Sequence, residues 1–316
     1  MTHDELLQAV PHALNEIDLS SLGTQTSGKV REMVARPDSS RILVTTDRVS
    51  AFDVVLGAIP FKGQVLNQLS AWWFEKTRDI VQNHVISVPD ENVTIAREAK
   101  PLPVEIVVRG YITGVTKTSL WTMYEAGARD AYGVTLPDGL QKNDALPQAI
   151  ITPTTKAGQG GHDAPITAAD IVTRGLVSAE LWAKVERAAL GLFARGQAVA
   201  EKAGLLLVDT KYEFGTIDGE LVLIDEVHTP DSSRYWVTES YERDPSNPES
   251  FDKEFLRLWF AARGYKGDGV PPQMPAEFIA QVAARYIAAY ERLTGLEFVP
   301  GKVPAAARIF ERFKDI

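Results

Sequence analysis

Residues 205–236, LLLVDTKYEFGTIDGELVLIDEVHTPDSSRYW, gather carboxylates and an ammonium at the ends of two apolar runs. The runs, residues 205–208 and 221–224, flank Asp218 and Gly219, a pair that favours a tight turn, so the stretch reads as a buried β-hairpin. Side chains on a strand alternate faces. Asp209, Lys211 and Glu213 therefore project to one side, and Asp225 and Glu226 follow directly on the second run. Carboxylates beside a lysine at a strand end suit a magnesium ion and the phosphates it carries, because a hard dication prefers oxygen ligands and shares them with a nucleotide. A single D-x-K-x-E stretch equally describes a solvated hairpin edge with ordinary salt bridges. The second acidic pair after LVLI tips the reading towards a site.

Weaker signals lie elsewhere. Lys29 and Arg31 stand two apart in GKVRE, next to Gly28, which lets a phosphate approach the backbone; two such cations also describe a solvated strand face. Arg109 ends the apolar run VEIVV and is followed by GYITG, residues too small and turn-prone to bury it. Residues 137–166, rich in proline and carrying GQGG, show little periodicity and read as either a disordered segment or a functional loop over a site, with Lys156, His162 and Asp163 able to hydrogen-bond a polar ligand.

The elements that position these residues follow from periodicity. Residues 4–20 read as a short amphipathic helix. From Gly28 to about residue 63 the pattern is strand-like and antiparallel, and residues 67–83 have helical spacing with Leu69, Trp72, Trp73 and Ile80 on the apolar face. Ser178 is placed to cap a long helix that stops at Gly204, and two more helices are expected over residues 250–263 and 275–294. At 316 residues the chain can bury a sizeable core. A net charge of −9 argues against a general nucleic-acid or membrane-surface binder, which needs excess Lys and Arg. With no cysteine, disulfides, thiolate metal sites and thiol nucleophiles are excluded together. The start, MTHDELLQAV, is acidic and short of apolar length, so no signal peptide or membrane anchor is expected and the cytoplasm is the default.

Six motifs, GKVRE, TTDRVSAFD, VEIVVRGYITG, TPTTKAGQGGHD, VDTKYEFG and IDEVHTPDSSRYW, occur in the order found in SAICAR synthetases, so the chain resembles that family from Gly28 to about Trp236. The long central loop looks like the larger form of the family. The resemblance implies an α+β, SAICAR-synthase-like fold: an antiparallel β-rich N-terminal domain, residues 1–102, and a larger α+β domain, residues 103–316, with a nucleotide cleft between them. It implies an ATP-dependent ligase of purine biosynthesis that joins carboxyaminoimidazole ribotide to L-aspartate through an acyl phosphate. ATP and Mg2+ would be required, and the chain would act as a monomer.

Carried over position by position, Gly28, Lys29 and Arg31 would meet the ATP phosphates. Lys211, with Asp209, would be catalytic and lie near the transferred group, and Glu213 and Asp225 would hold magnesium. Arg109, Ser119 and Arg234 would bind the ribotide phosphate and Ser233 the substrate, with Asp53, Asp209 and Asp163 on the substrate or aspartate side. Adenine would rest against the backbone from Lys100 to Leu102. Where many relatives have a serine after the TG pair this chain has Val115; residues 115–118, VTKT, read as an insertion that leaves Ser119 as the match. Pro101 offers no N–H to a base.

The metal assignment bears on the hairpin's register. A two-residue Asp218-Gly219 turn pairs Glu213 with Ile224 and, on strict alternation, points Asp225 away and makes the metal site impossible, whereas a three-residue loop pairs Lys211 with Asp225 and puts the acidic residues on one face. Metal chemistry favours the three-residue loop, with positive φ at Gly219. A kinase would share ATP, magnesium and a lysine, but no HRD-type catalytic loop is present. A non-enzymatic nucleotide-binding module would bind ATP without releasing phosphate in response to aspartate.

Overall fold

In the amino-terminal part, alternating apolar residues build an antiparallel sheet of order β1-β2-β3-β7-β6: β1 (Thr24–Ser27), β2 (Arg31–Ala35), β3 (Ser40–Thr45), β6 (Val85–Asp90) and β7 (Val93–Arg97). The hairpin β4 (Arg48–Ala51) and β5 (Val54–Ala58) stands beside it. This computed structural model describes the chain except residues 53, 116–118, 157–163, 252 and 314–316. Val34, Ile42, Val44 and Val93 pack with Leu14, Ile17 and Leu19, and with Ala305 and Ile309 of the final helix, Ala305–Phe313. The last helix thus packs on the first sheet, although a boundary after residue 102 groups it with the larger part.

The second sheet has the order β13-β12-β9-β14-β15, with β8 and β16 also on β14. Its strands are β8 (Lys100–Pro101), β9 (Val104–Tyr111), β12 (Ala145–Thr155), β13 (Ala164–Pro165), β14 (Leu205–Ile217), β15 (Glu220–Ile224) and β16 (Ser233–Val237); a separate two-stranded ribbon pairs β10 (Asp130–Ala131) with β11 (Val134–Thr135). The sequence reading made residues 137–166 a loop. Its middle, Ala145–Thr155, is instead strand β12, whose residues 150–155 pair with β9, and Thr152 is fully buried. Prolines at 147 and 153 break the visible periodicity without preventing the pairing. Of the expected cover, residues 157–163 lie outside the described residues.

The central strand β14 changes face partway along. Leu207 pairs with Tyr235, but Asp209 pairs with Arg234, so Val208 is an extra residue. Before it Leu205 and Leu207 are buried; beyond it Tyr212 and Phe214 are. The switch turns Asp209, Lys211 and Glu213 together onto the opposite face.

The turn after β14 overturns the three-residue loop. Ile217 pairs with Glu220 and Glu213 with Ile224, and both Asp218 (φ 53°) and Gly219 (φ 84°) are left-handed. That is the two-residue type I′ turn, whose twist matches the strands and which Asp-Gly adopts readily; local turn chemistry outweighs the chemical argument for a longer loop. Positive φ at Gly219 was expected and is present. The parity argument also stops short of Asp225, because β15 ends at Ile224 and Asp225 itself is left-handed (φ 70°).

Among the helices, α1 (His3–Ala9) is shorter than expected and begins with a capping box between Thr2 and Glu5. Helix α2 (Lys62–Lys76) starts earlier than its apolar spacing suggests, because the carboxylate of distant Asp47 accepts the Gly63 N–H at 2.8 Å and caps it. Then come α3 (Leu120–Glu125), α4 (Ala168–Thr173), α5 (Ala179–Lys202), α6 (Thr238–Arg243), α7 (Glu254–Ala261), α8 (Ala276–Thr294) and the final α9. Helix α5 agrees with expectation: the Ser178 hydroxyl accepts the Leu181 N–H at 3.2 Å, and Gly204 (φ 69°) follows its end. Its buried face packs on β14 and β9 through Trp182, Val185, Leu192 and Phe193.

Two buried imidazoles make stability depend on pH. Burial pushes His84 and His228 from 6.5 down to about 3, and for His84 the nearby Arg31, Arg41 and Arg97 add to the effect. Between those values the unfolded chain takes up protons that the folded chain refuses, so stability falls with falling pH by up to about 1.4 kcal/mol per pH unit per histidine. Asp47, raised by burial to about 6, opposes this between 3.8 and 6, where the folded chain keeps a proton the unfolded chain has lost. Urea denaturation between pH 7 and pH 5 is expected to show the decline, and His84→Gln to reduce its slope by about one proton; an unchanged slope would contradict the assignment.

Candidate functional site

Arg109, Asp209 and Arg234 form a row across three adjacent strands, with Asp209 paired in register to both arginines. Arg109 Nη1 donates to Asp209 Oδ2 at 3.0 Å, Arg234 Nη1 lies 3.4 Å from the same oxygen, and Arg109 Nε donates to Thr152 Oγ1 at 2.9 Å. One carboxylate between two guanidiniums leaves a net positive charge and spare planar donors, the arrangement that recognises a phosphate. Tyr132, itself left-handed (φ 56°) at the tip of the β10–β11 ribbon, hydrogen-bonds Arg109 from the side. Beneath the row the Ser233 and Thr210 hydroxyls share a hydrogen bond of 2.7 Å.

Further along β14 the charges alternate. Lys211 Nζ donates to Glu105 Oε1 at 2.9 Å and Glu213 Oε1 at 2.7 Å, and Lys156 binds the other Glu213 oxygen. Burial disfavours the charge on Lys211, but Glu213 and Glu105 outweigh it and raise its pKa above the ordinary lysine value. Burial likewise opposes ionisation of Glu213, and Lys211 with Lys156 overcomes it, holding the carboxyl at about 2. Every member of this chain of charges has an opposite partner.

From the first sheet Arg31 reaches the end of the hairpin, pairing with Asp225 and lying 3.5 Å from Glu226. Its turn is tight: the Gly28 N–H donates to Arg31 O at 2.8 Å, and Arg48 donates to the carbonyls of Gly28 and Lys29 at 2.9 and 3.0 Å. Lys29 sits within that turn. Magnesium keeps several waters and takes one or two carboxylates plus phosphate oxygens. Glu213 and Asp225 offer oxygen donors of that kind, the first now held by lysines and the second by Arg31. Among the described residues no cluster of three or more His, Cys, Asp or Glu could hold a metal. The donor set fits a dication that arrives on a phosphate, rather than a cage built by the protein alone.

The remaining expected residues fall as follows. Lys100 and Pro101 pair with Thr216 and Gly215, and the Leu102 N–H donates to Phe214 O at 2.8 Å, so the sheet already takes that amide. Ser119 caps α3, its hydroxyl accepting the Thr122 N–H at 3.4 Å and donating to Thr122 Oγ1 at 2.9 Å. A Cβ on Gly114 would lie 2.4 Å from that of Ser119, so the two residues touch; residues 116–118 of the expected insertion lie outside the described residues. Asp53, Asp163 and His162 lie outside the described residues. Glu105 and Arg48 were missed by sequence reasoning. Glu105 could have been found by counting in twos back from Arg109 along VEIVVR, whereas nothing local marks Arg48.

A family model described as SAICAR synthetase matches residues 24–274. A phosphoribosylaminoimidazole-succinocarboxamide synthase of Legionella pneumophila is 52% identical over 304 residues, 93% of this chain and 96% of its own. The SAICAR-synthase from Saccharomyces cerevisiae, solved in complex with SAICAR, superposes with a TM-score of 0.80 at 31% identity, covering 90% of this chain and 99% of that one. A type-2 SAICAR synthetase solved in complex with ADP shares the fold, with a TM-score of 0.67 at 24% identity over 87% of this chain and 100% of its own.

Lys211→Met would leave Glu105 without its ammonium and Glu213 with Lys156 alone. A loss of about 2 kcal/mol is expected at pH 7, less than for a fully buried pair because the lysine is partly exposed. It should shrink towards pH 4 as Glu105 and Glu213, each short of one cation, take up protons. Urea denaturation of both proteins at the two pH values checks this, and an equal loss at both would contradict it.

Proposed function

The chain belongs to the SAICAR synthetase family, ATP-dependent ligases of purine biosynthesis that condense carboxyaminoimidazole ribotide with aspartate, and from that premise we propose which residues carry each part of the reaction. A carboxylate is a poor electrophile towards an amine. The ribotide carboxylate therefore attacks the γ-phosphorus of ATP, ADP leaves, and an acyl phosphate forms. The amine of L-aspartate then attacks the acyl carbon, inorganic phosphate leaves, and the amine's proton is lost as the amide forms.

The observation that carries the reading is the Arg109–Asp209–Arg234 row beside the charge chain of Lys211. Arg109 and Arg234, with Ser119 and Ser233, hold the ribotide through its phosphate. Asp209 orients the guanidiniums and, with Asp53 and Asp163, lines the substrate side. Lys211 neutralises the phosphoryl group in transfer, where positioned cations lower the barrier most. Gly28, Lys29 and Arg31 take the ATP phosphates. Glu213 and Asp225 would hold Mg2+, which supplies charge neutralisation on the phosphate oxygens. Adenine rests along residues 100–102, using groups other than the Leu102 amide. The SAICAR carried by the yeast relative and the ADP carried by the fold neighbour support the two ligand classes, a ribotide and a nucleotide.

The chain acts on small molecules, without nucleic acid or membrane, as a monomer in the cytoplasm. Its acidic net charge argues against a nucleic-acid or membrane-surface partner, and among the described residues no helix is long and apolar enough to cross a membrane.

ADP release should require both ribotide and L-aspartate for sustained turnover; sustained release without aspartate would favour the kinase reading. Arg109→Ala should raise KM for the ribotide about thirtyfold, about 2 kcal/mol, with KM for ATP little changed. Equal losses for both substrates would overturn the phosphate assignment.

A further inference from the structure

Away from the open face of the sheet, a carboxylate is buried between two lysines and a tyrosine from three separate parts of the chain. Asp231 Oδ2 lies 2.8 Å from Nζ of Lys62, the first residue of α2, and 2.9 Å from Nζ of Lys253, just before α7. Its other oxygen accepts the hydroxyl of Tyr286, on α8, at 2.6 Å. Lys62 and Asp231 are essentially inaccessible, so neither touches a substrate. Burial disfavours the charge on Lys62 and pushes its pKa down; on Asp231 burial acts upward, but Lys253 and Lys62 outweigh it and hold the carboxyl well below the usual range.

A buried charge cluster of this kind is seldom the most stable filling for its volume, because desolvation offsets much of the attraction. What it provides is direction. Asp231 sits in a turn closed by the Ser232 and Ser233 N–H groups, which donate to Thr229 O at 3.2 and 2.9 Å. Within that turn Ser232 O accepts the Lys211 N–H at 2.9 Å. Strand β16 begins at Ser233, and Arg234 is its second residue. The clamp on Asp231 therefore lies three residues from the guanidinium that meets Asp209, with a hydrogen-bonded turn between them.

We propose that Asp231 is a positioning residue for the anion pocket: Lys62, Lys253 and Tyr286 hold it so that the turn presents Arg234 to Asp209 beside Arg109, which sets the affinity for the phosphate of the ribotide. The proposal rests on the assignment of Arg109 and Arg234 to that phosphate. It distinguishes Asp231 from the groups that contact substrate, and it predicts a selective kinetic effect from a buried site.

The test varies ribotide and ATP separately in steady-state assays of Asp231→Asn, Tyr286→Phe and Arg234→Ala. Tyr286→Phe removes one hydrogen bond and leaves both ion pairs, so it decides the matter should Asp231→Asn fail to fold. The expected result is a rise in KM for the ribotide of about threefold for Tyr286→Phe and about tenfold for Asp231→Asn, with KM for ATP and kcat within about twofold. In the Arg234→Ala background Asp231→Asn should add little, since the group it positions is gone. If Arg234→Ala is selective for the ribotide but the clamp variants alter both KM values alike, or neither, the positioning role is overturned and the arginine assignment stands. If Arg234→Ala is itself unselective, the assignment fails and the proposal falls with it.

Discussion

One extra residue in the central strand governs the site. With Val208 unpaired, β14 can give Leu205 and Leu207 to the core in its first half, and Tyr212 and Phe214 in its second. Without that shift, a strict alternation continued from Leu207 would send Asp209, Lys211 and Glu213 to the same face as the buried leucines. Three ionised groups would then need partners in an apolar interior, at a cost of several kcal/mol each. The bulge converts one strand into a core element at one end and a charged platform at the other.

The platform is assembled from neighbours distant in sequence. Arg109 and Glu105 come from β9, Arg234 from β16, Lys156 from the end of β12, and each meets an opposite charge on β14. Mutual neutralisation lets so many ionised groups share a small area without ligand. It also means that an incoming phosphate meets guanidiniums already fixed by Asp209, with planar donors left over for its oxygens.

Local signals carried much of the reading. The cap at Ser178, the stop at Gly204, the strand alternation around Arg31 and Arg109, and the D-x-K-x-E face were all legible, because each depends on residues a few positions apart. Where the reading failed, a distant partner or a competing local preference decided. Asp47 starts α2 from a strand's length away, β12 hides behind its prolines, and the Asp-Gly turn kept its own two-residue geometry. The buried trio around Asp231 had no signature at all, since Lys62, Lys253 and Tyr286 converge only in the folded chain.

The first sheet and the last helix share a core. Ala305 and Ile309 fill the same cluster as Val34, Ile42 and Val93, and Arg308 fastens the helix to Asp90 with donor distances of 2.8 and 3.0 Å. During synthesis the strands near the beginning emerge long before the helix that covers them. Until residues 305–309 leave the ribosome, that sheet presents Val34, Ile42, Val44 and Val93 without their full cover, an apolar surface open to chaperones or to other nascent chains. Completion of the first part of the molecule therefore waits on the last, and the chain's two ends mature as a single folding event.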